Sequence, residues 1–139
     1  MRRRQRSRGQ ALVEFALALP IFLLLMMAVF DLGRAIYMYN GVAEAARELA
    51  RVTSVYAGTP LGNAPETAAV LATQKALVPS LGDPTFECVD IDGSSFSETC
   101  VAGMQVKVVI IAPYTPVTPV LSLVGTLDLK SSSTFSIQQ

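Results

Sequence analysis

Histidine is absent from the chain, which removes the common zinc sites, the histidine-based triads and imidazole acid-base chemistry. Phosphate loops are missing as well. No Walker sequence and no glycine-rich dinucleotide fingerprint occurs, and Gly93-Ser94-Ser95 lacks the second flanking glycine of a nucleophile elbow. Asp90, Asp92, Ser94 and Glu98 surround Gly93 without the third acid and the spacing of a calcium loop, so an ordinary Asp-Gly turn is expected there. No catalytic residue, metal or cofactor is expected, and the chain reads as a non-enzyme. A signal-peptidase site is wanting too: Ala16-Leu17-Ala18 precedes most of the apolar run, and Ala28-Val29-Phe30 ends in a bulky ring. The two cysteines, Cys88 and Cys100, lie far downstream of any lipoprotein position, and Arg2-Arg3 lacks the flanking residues of a twin-arginine signal.

What is present is concentrated at the N-terminus. The 139 residues allow one small domain, and half of them are hydrophobic, more than a soluble domain needs but natural if one segment lies in lipid. Basic and acidic residues balance at eleven each, yet five of the basic ones are Arg2, Arg3, Arg4, Arg6 and Arg8, and every acid lies beyond them. A basic run of this kind can mark nucleic-acid binding. Here it abuts a hydrophobic span, where positive-inside topology is the commoner cause, so no nucleic-acid partner is expected. Residues 11–30 carry a single charge, Glu14, and as a helix they reach about 30 Å, the thickness of a bilayer core. The expected placement is a single-pass protein of the cytoplasmic membrane, with its N-terminus inside and residues from Asp31 onward outside.

Two residues inside the span stand out. Glu14 puts a carboxylate near the cytoplasmic edge; intramembrane ionisable groups point to function, although a glutamate in a first helical turn also suits the helix dipole and can snorkel. Pro20 removes the hydrogen bond to the Ala16 carbonyl and is expected to kink or loosen the helix, although transmembrane helices tolerate proline.

Beyond the span, Val42, Ala45, Ala46, Leu49, Val52, Thr53 and Tyr56 recur at three- and four-residue intervals, which predicts that the helix continues amphipathically to about residue 57. Asn40-Gly41 is a turn signal that either bends it or survives within it. Glu44, Arg47, Glu48 and Arg51 fall on the opposite, solvated face. Residues 58–63 punctuate the chain, and Pro65 opens a second helix to about Val78, stopped by Pro79 and Gly82. The period then changes to that of strands over residues 86–90, 105–112 and 127–137, with a proline-rich connection from Pro113 to Pro119 and a short amphipathic piece over 120–124. The expected fold is α+β: a long N-terminal helix, half transmembrane and half extracytoplasmic, packed against a small antiparallel sheet with a second short helix. Residues 1–9 form a leader, 10–57 the span and stalk, and 58–139 a head that completes one domain with the stalk. Cys88 and Cys100 flank the Gly93 turn in the extracytoplasmic part and are expected to form a disulfide.

The stretch from Arg8-Gly9-Gln10 through Glu14 to Leu17, continued by Leu19-Pro20 and by Asp31-Leu32-Gly33-Arg34-Ala35, resembles the TadE-like pseudopilins of the tight-adherence (Flp) pilus. The segments from Gln105 to Ile111, Pro116-Val117-Thr118-Pro119 and Gly125-Thr126-Leu127 are similar to that family's ending. The resemblance implies processing like a type IV pilin: a prepilin peptidase cuts after Gly9 and leaves Gln10 as the new N-terminus, with Glu14 as the assembly glutamate. It implies a minor pseudopilin as the function, since a major tight-adherence pilin has little beyond its helix. The implied partners are other pilin and pseudopilin subunits, the peptidase, the pilus inner-membrane platform and the lipid bilayer, with incorporation into a surface pilus. A major filament subunit, or an uncleaved membrane protein displaying a binding domain, are the alternative functions.

Overall fold

A computed structural model of the chain describes residues 3–57, 60–96, 100–123 and 125–137. Arg2 of the leader, Gly58 and Thr59 of the first loop, Glu98 and Val124 lie outside the described residues.

The apolar span and the amphipathic stretch share one helix, α1 (Arg3–Val55), of 53 residues and about 80 Å at 1.5 Å per residue. It runs unbroken through Pro20 and through Asn40-Gly41. Its two halves meet different surroundings. None of its most apolar 18-residue window is buried in the fold, whereas Val42, Ala45, Ala46, Leu49, Ala50, Val52 and Thr53 are buried, the stripe that the spacing predicts. Tyr56, assigned to that stripe from sequence, instead follows the end of the helix and is 40% exposed. On the far face Glu44 pairs with Arg47 at 3.0 Å and Glu48 with Arg51 at 2.6 Å.

The second helix, α2 (Pro65–Leu77), starts on Pro65, whose missing N–H would have gone unsatisfied there, and has Glu66 in its first turn and Lys75 in its last. It packs on α1. Gly41 makes this contact possible: a Cβ built on it would stand 2.7 Å from Cγ2 of the buried Val78. The helix keeps a glycine here for close approach and continues through it.

The strands are β1 (Thr85–Val89), β2 (Ser95–Phe96), β3 (Gln105–Tyr114) and β4 (Leu127–Ser136), in the order β2-β1-β3-β4 and antiparallel throughout. The short β2 is an addition to the three strands legible in the sequence. Val106, Val108, Ile110, Ala112 and Tyr114 alternate inward along β3, and this face packs on α1. Opposite Val108 and Ile110 stand Ser133 and Ser131 of β4; together with Ala45, Ala46 and Ala50 of α1, these small side chains let helix and sheet approach closely. Cys88 and Cys100 form a disulfide across the turn between β1 and β3, with Cα atoms 5.5 Å apart. By the loop-entropy model so short a loop contributes about 3 kcal/mol. The turn reading of Gly93 holds: it has φ +86°, its N–H donates to Asp90, and Ser94 donates from both N–H and hydroxyl to Asp92.

Pro113, placed in a loop by its residue type, lies inside β3. Its position explains why. The Ile111 carbonyl accepts from Gly82 on the β1 side, so the backbone of Pro113, two residues on, faces that same side. There β1 has already ended, its Thr85 pairing with Val109, and no ladder bond is lost by the missing N–H. The short helix α3 (Pro119–Ser122) follows.

Gly41→Ala tests the close approach of the helices. An exposed helical glycine replaced by alanine gains about 1 kcal/mol; here the added methyl meets Val78 and should instead cost about 1–3 kcal/mol. Thermal unfolding of the detergent-solubilised chain should show a lower Tm for the variant, and a higher one would contradict the packing described.

Candidate functional site

The residues singled out from sequence occupy two separate regions. Gly9, Gln10, Glu14 and Pro20 lie on α1 below the head, with exposed side chains where they have them. The first three share little more than one helical turn. Gln10 donates from Nε2 to Glu14 Oε1 at 3.2 Å, an i,i+4 contact on one face. No cation lies within ion-pair distance of Glu14 among the described residues, and nothing stands within 4 Å of a Cβ built on Gly9. The carboxylate is exposed on the part of the helix that the head does not cover. Cys88 and Cys100 sit in the core of the head and do not approach these groups.

A second carboxylate on the same helix, Asp31, sits in a quite different setting. Seventeen residues separate it from Glu14, about 26 Å along the axis, so the two acids bracket the apolar run. Asp31 is 4% exposed. A buried carboxylate is tolerated when donors surround it, and five groups do so here. The Thr118 N–H donates at 2.7 Å, as does the Thr118 hydroxyl. The Val117 N–H reaches both oxygens at 3.1 Å. Tyr114 donates to the Asp31 carbonyl at 2.8 Å and lies 3.4 Å from Oδ1, and Arg34 stands 3.6 Å from Oδ1. The Arg34 guanidinium also lies over the Tyr114 ring, 5.6 Å from its centre.

Thr118 precedes α3 as its N-cap but makes no side-chain cap bond, because its hydroxyl is committed to Asp31. Burial alternates past the end of β3 through Pro116 and Thr118, so the chain continues as an extended strap down α1 until Asp31 fastens it. These contacts hold the Asp31 carboxyl down at about 2 against an ordinary 3.8, the Thr118 hydroxyl contributing most, with the Thr118 and Val117 amides and Tyr114 adding to it against the cost of burial. Burial and the charge of Asp31 push the Tyr114 hydroxyl up. Sequence reasoning quoted Asp31, Arg34 and the Pro116–Pro119 segment as motifs without joining them. The available signal was an acid directly after an apolar span, a position that flanking charges also occupy.

Beside this clasp is a cleft of about 590 Å³ lined by Arg34, Tyr37 and Glu44 of α1, Leu77 and Pro79 at the end of α2, and Tyr114. No group of three or more acids or cysteines able to hold a metal occurs among the described residues.

The family model described as "TadE-like protein" matches residues 9–51, under a third of the chain, beginning on Gly9 and ending within the buried stripe of α1. Its subunits are structural, and the match supports a pseudopilin-like role associated with a tight-adherence pilus. No curated protein and no solved structure matches the chain. The long apolar helix is compatible with a single-pass membrane protein.

Because the Asp31 pKa is lowered on folding, its contribution to stability is complete above the unfolded value of 3.8 and is lost as pH falls toward about 2. Asp31→Asn should lower the Tm of the solubilised chain at neutral pH, since an amide cannot accept from all these donors. The gap to the wild type should close as the pH drops through that window. A constant gap at every pH would assign the clasp to shape and not to charge.

Proposed function

We propose that the chain is a minor pseudopilin of a tight-adherence pilus, a structural or assembly-initiating subunit. The leader is cytoplasmic, α1 crosses the inner membrane, and the head stands outside it. A prepilin peptidase cleaves after Gly9 and makes Gln10 the amino terminus, removing five of the eleven basic residues. That loss weakens the electrostatic hold on an anionic leaflet and eases extraction into a filament. Neighbouring pilin and pseudopilin subunits and the inner-membrane platform are the partners.

The observation that carries this reading is the state of Glu14. It is the lone charge of the apolar run, five residues past Gly9, on a helix face that the chain's own head leaves bare. When such helices bundle, a carboxylate opposite a neighbour's terminal ammonium neutralises both and fixes the axial register. A sheet and a second helix beyond α1 favour a minor subunit over a major one.

N-terminal sequencing of membrane-extracted protein from a host with the pilus machinery should begin at Gln10. A start at Met1, or anywhere past Phe30, would replace this reading with that of an uncleaved protein displaying its head.

Glu14→Gln should leave insertion and cleavage intact, because the monomer carries this group near the lipid interface where a neutral amide costs little. Incorporation should fall, since a neighbour's buried ammonium loses its partner at a typical cost of about 3–5 kcal/mol. The ratio of variant co-purifying with the pilus to variant in the membrane, measured beside the wild type, decides it; an unchanged ratio would reduce Glu14 to a helix-start acid.

A further inference from the structure

Asp31 is the first residue past the apolar run, and its carboxylate holds the amides of Val117 and Thr118. Helical side chains lean toward the N-terminus, so these amides stand level with the last turn of the span. α3 begins at the next residue. The strap and α3 are thus fixed beside the lipid boundary, at the end of the sheet marked by Tyr114.

What they expose there is apolar. Val117 is 64% and Leu123 87% exposed, with Leu121 also open to solvent, and Phe30 and Leu32, which flank Asp31 on α1, are exposed as well. From Tyr114 to Leu127 the sequence contains no charged residue. The opposite end of the sheet is of another character: Val89 pairs with Gln105, about 30 Å from Tyr114 at 3.3 Å per residue, and the turn beyond it carries Asp90 and Asp92. An apolar rim at the foot of the head, formed by a segment without charge and fastened to the helix just past its bare run, matches one occupant. We propose that residues 117–123 lie in the interface of the bilayer as a second, shallow membrane contact, with Val117, Leu121 and Leu123 among the lipid chains and Arg34, one turn above Asp31, at headgroup height. Buried apolar side chains at two points around α1 resist tilting of the head, which a single helix does not.

This inference rests on α1 spanning the membrane, and the test separates the two. The chain has no tryptophan, so a single introduced indole reports its own surroundings. The full chain is reconstituted in phosphatidylcholine and phosphatidylglycerol vesicles, with and without lipids brominated on the acyl chains, near the headgroup end for the rim and turn probes and near the chain ends for the probe in the span. Leu123→Trp and Val117→Trp place the probe on exposed positions of the rim, Phe22→Trp in the span and Ile91→Trp at the distant turn. The rim probes should emit at short wavelength and lose intensity in brominated lipid as Phe22→Trp does, while Ile91→Trp should do neither. Rim probes that behave like Ile91→Trp face water and overturn the inference. Short-wavelength emission without quenching would place the rim against a second copy of the chain and overturn it equally. If Phe22→Trp itself escapes quenching, the spanning of α1 fails and the inference falls with it.

Discussion

One continuous helix has to satisfy two surroundings along a single axis, and the rest of the structure follows from that constraint. From Ala11 to Phe30 α1 is apolar but for Glu14 and is left bare by the head; above Asp31 one apolar stripe is buried, and the sheet packs on it. Because α1 is both the span and the central element of the head, the head cannot turn on a linker. The small side chains of Ala45, Ala46 and Ala50, facing Ser131 and Ser133 of β4, bring sheet and helix close enough for side chains as modest as Val42 and Leu49 to fill the core.

The Asp31 clasp sits where the two regimes meet. A carboxylate buried at that level would be costly if left unpaired. The Thr118 and Val117 amides, the Thr118 hydroxyl and Tyr114 convert that cost into a fixed attachment. Glu14, at the other end of the apolar run, accepts from the Gln10 amide and from no other group among the described side chains. Carboxylate chemistry thus appears on α1 once enclosed by donors of the chain and once on an exposed face.

Much of this was legible in the sequence because it is local. The stripe on α1, the start of α2 at Pro65 and the three main strands are all periodic signals, and the match at residues 9–51 agrees with the resemblance drawn from Gly9, Gln10 and Glu14. The rest depends on partners distant in the chain. Pro113 looks like a strand breaker until the early end of β1 is known. Gly41 is locally ambiguous between a bend and a packing position, and only Val78 decides between them. Asp31 finds its donors 86 and 87 residues away, a distance over which no spacing rule operates.

That separation also fixes an order of events. A chain is made from its N-terminus, so α1 emerges first and the strap and β4 that cover and fasten it emerge last. Until Thr118 and β4 are available, the apolar stripe from Val42 to Val52 is covered only by what α2 and β3 supply, and contacts of such long range form slowly. A growing chain therefore spends most of its synthesis with a membrane-ready helix already complete and a core face still open, a period in which unproductive association competes with folding. Closure of the head waits for the strap and β4, and a truncation anywhere before β4 would leave the stalk only partly covered.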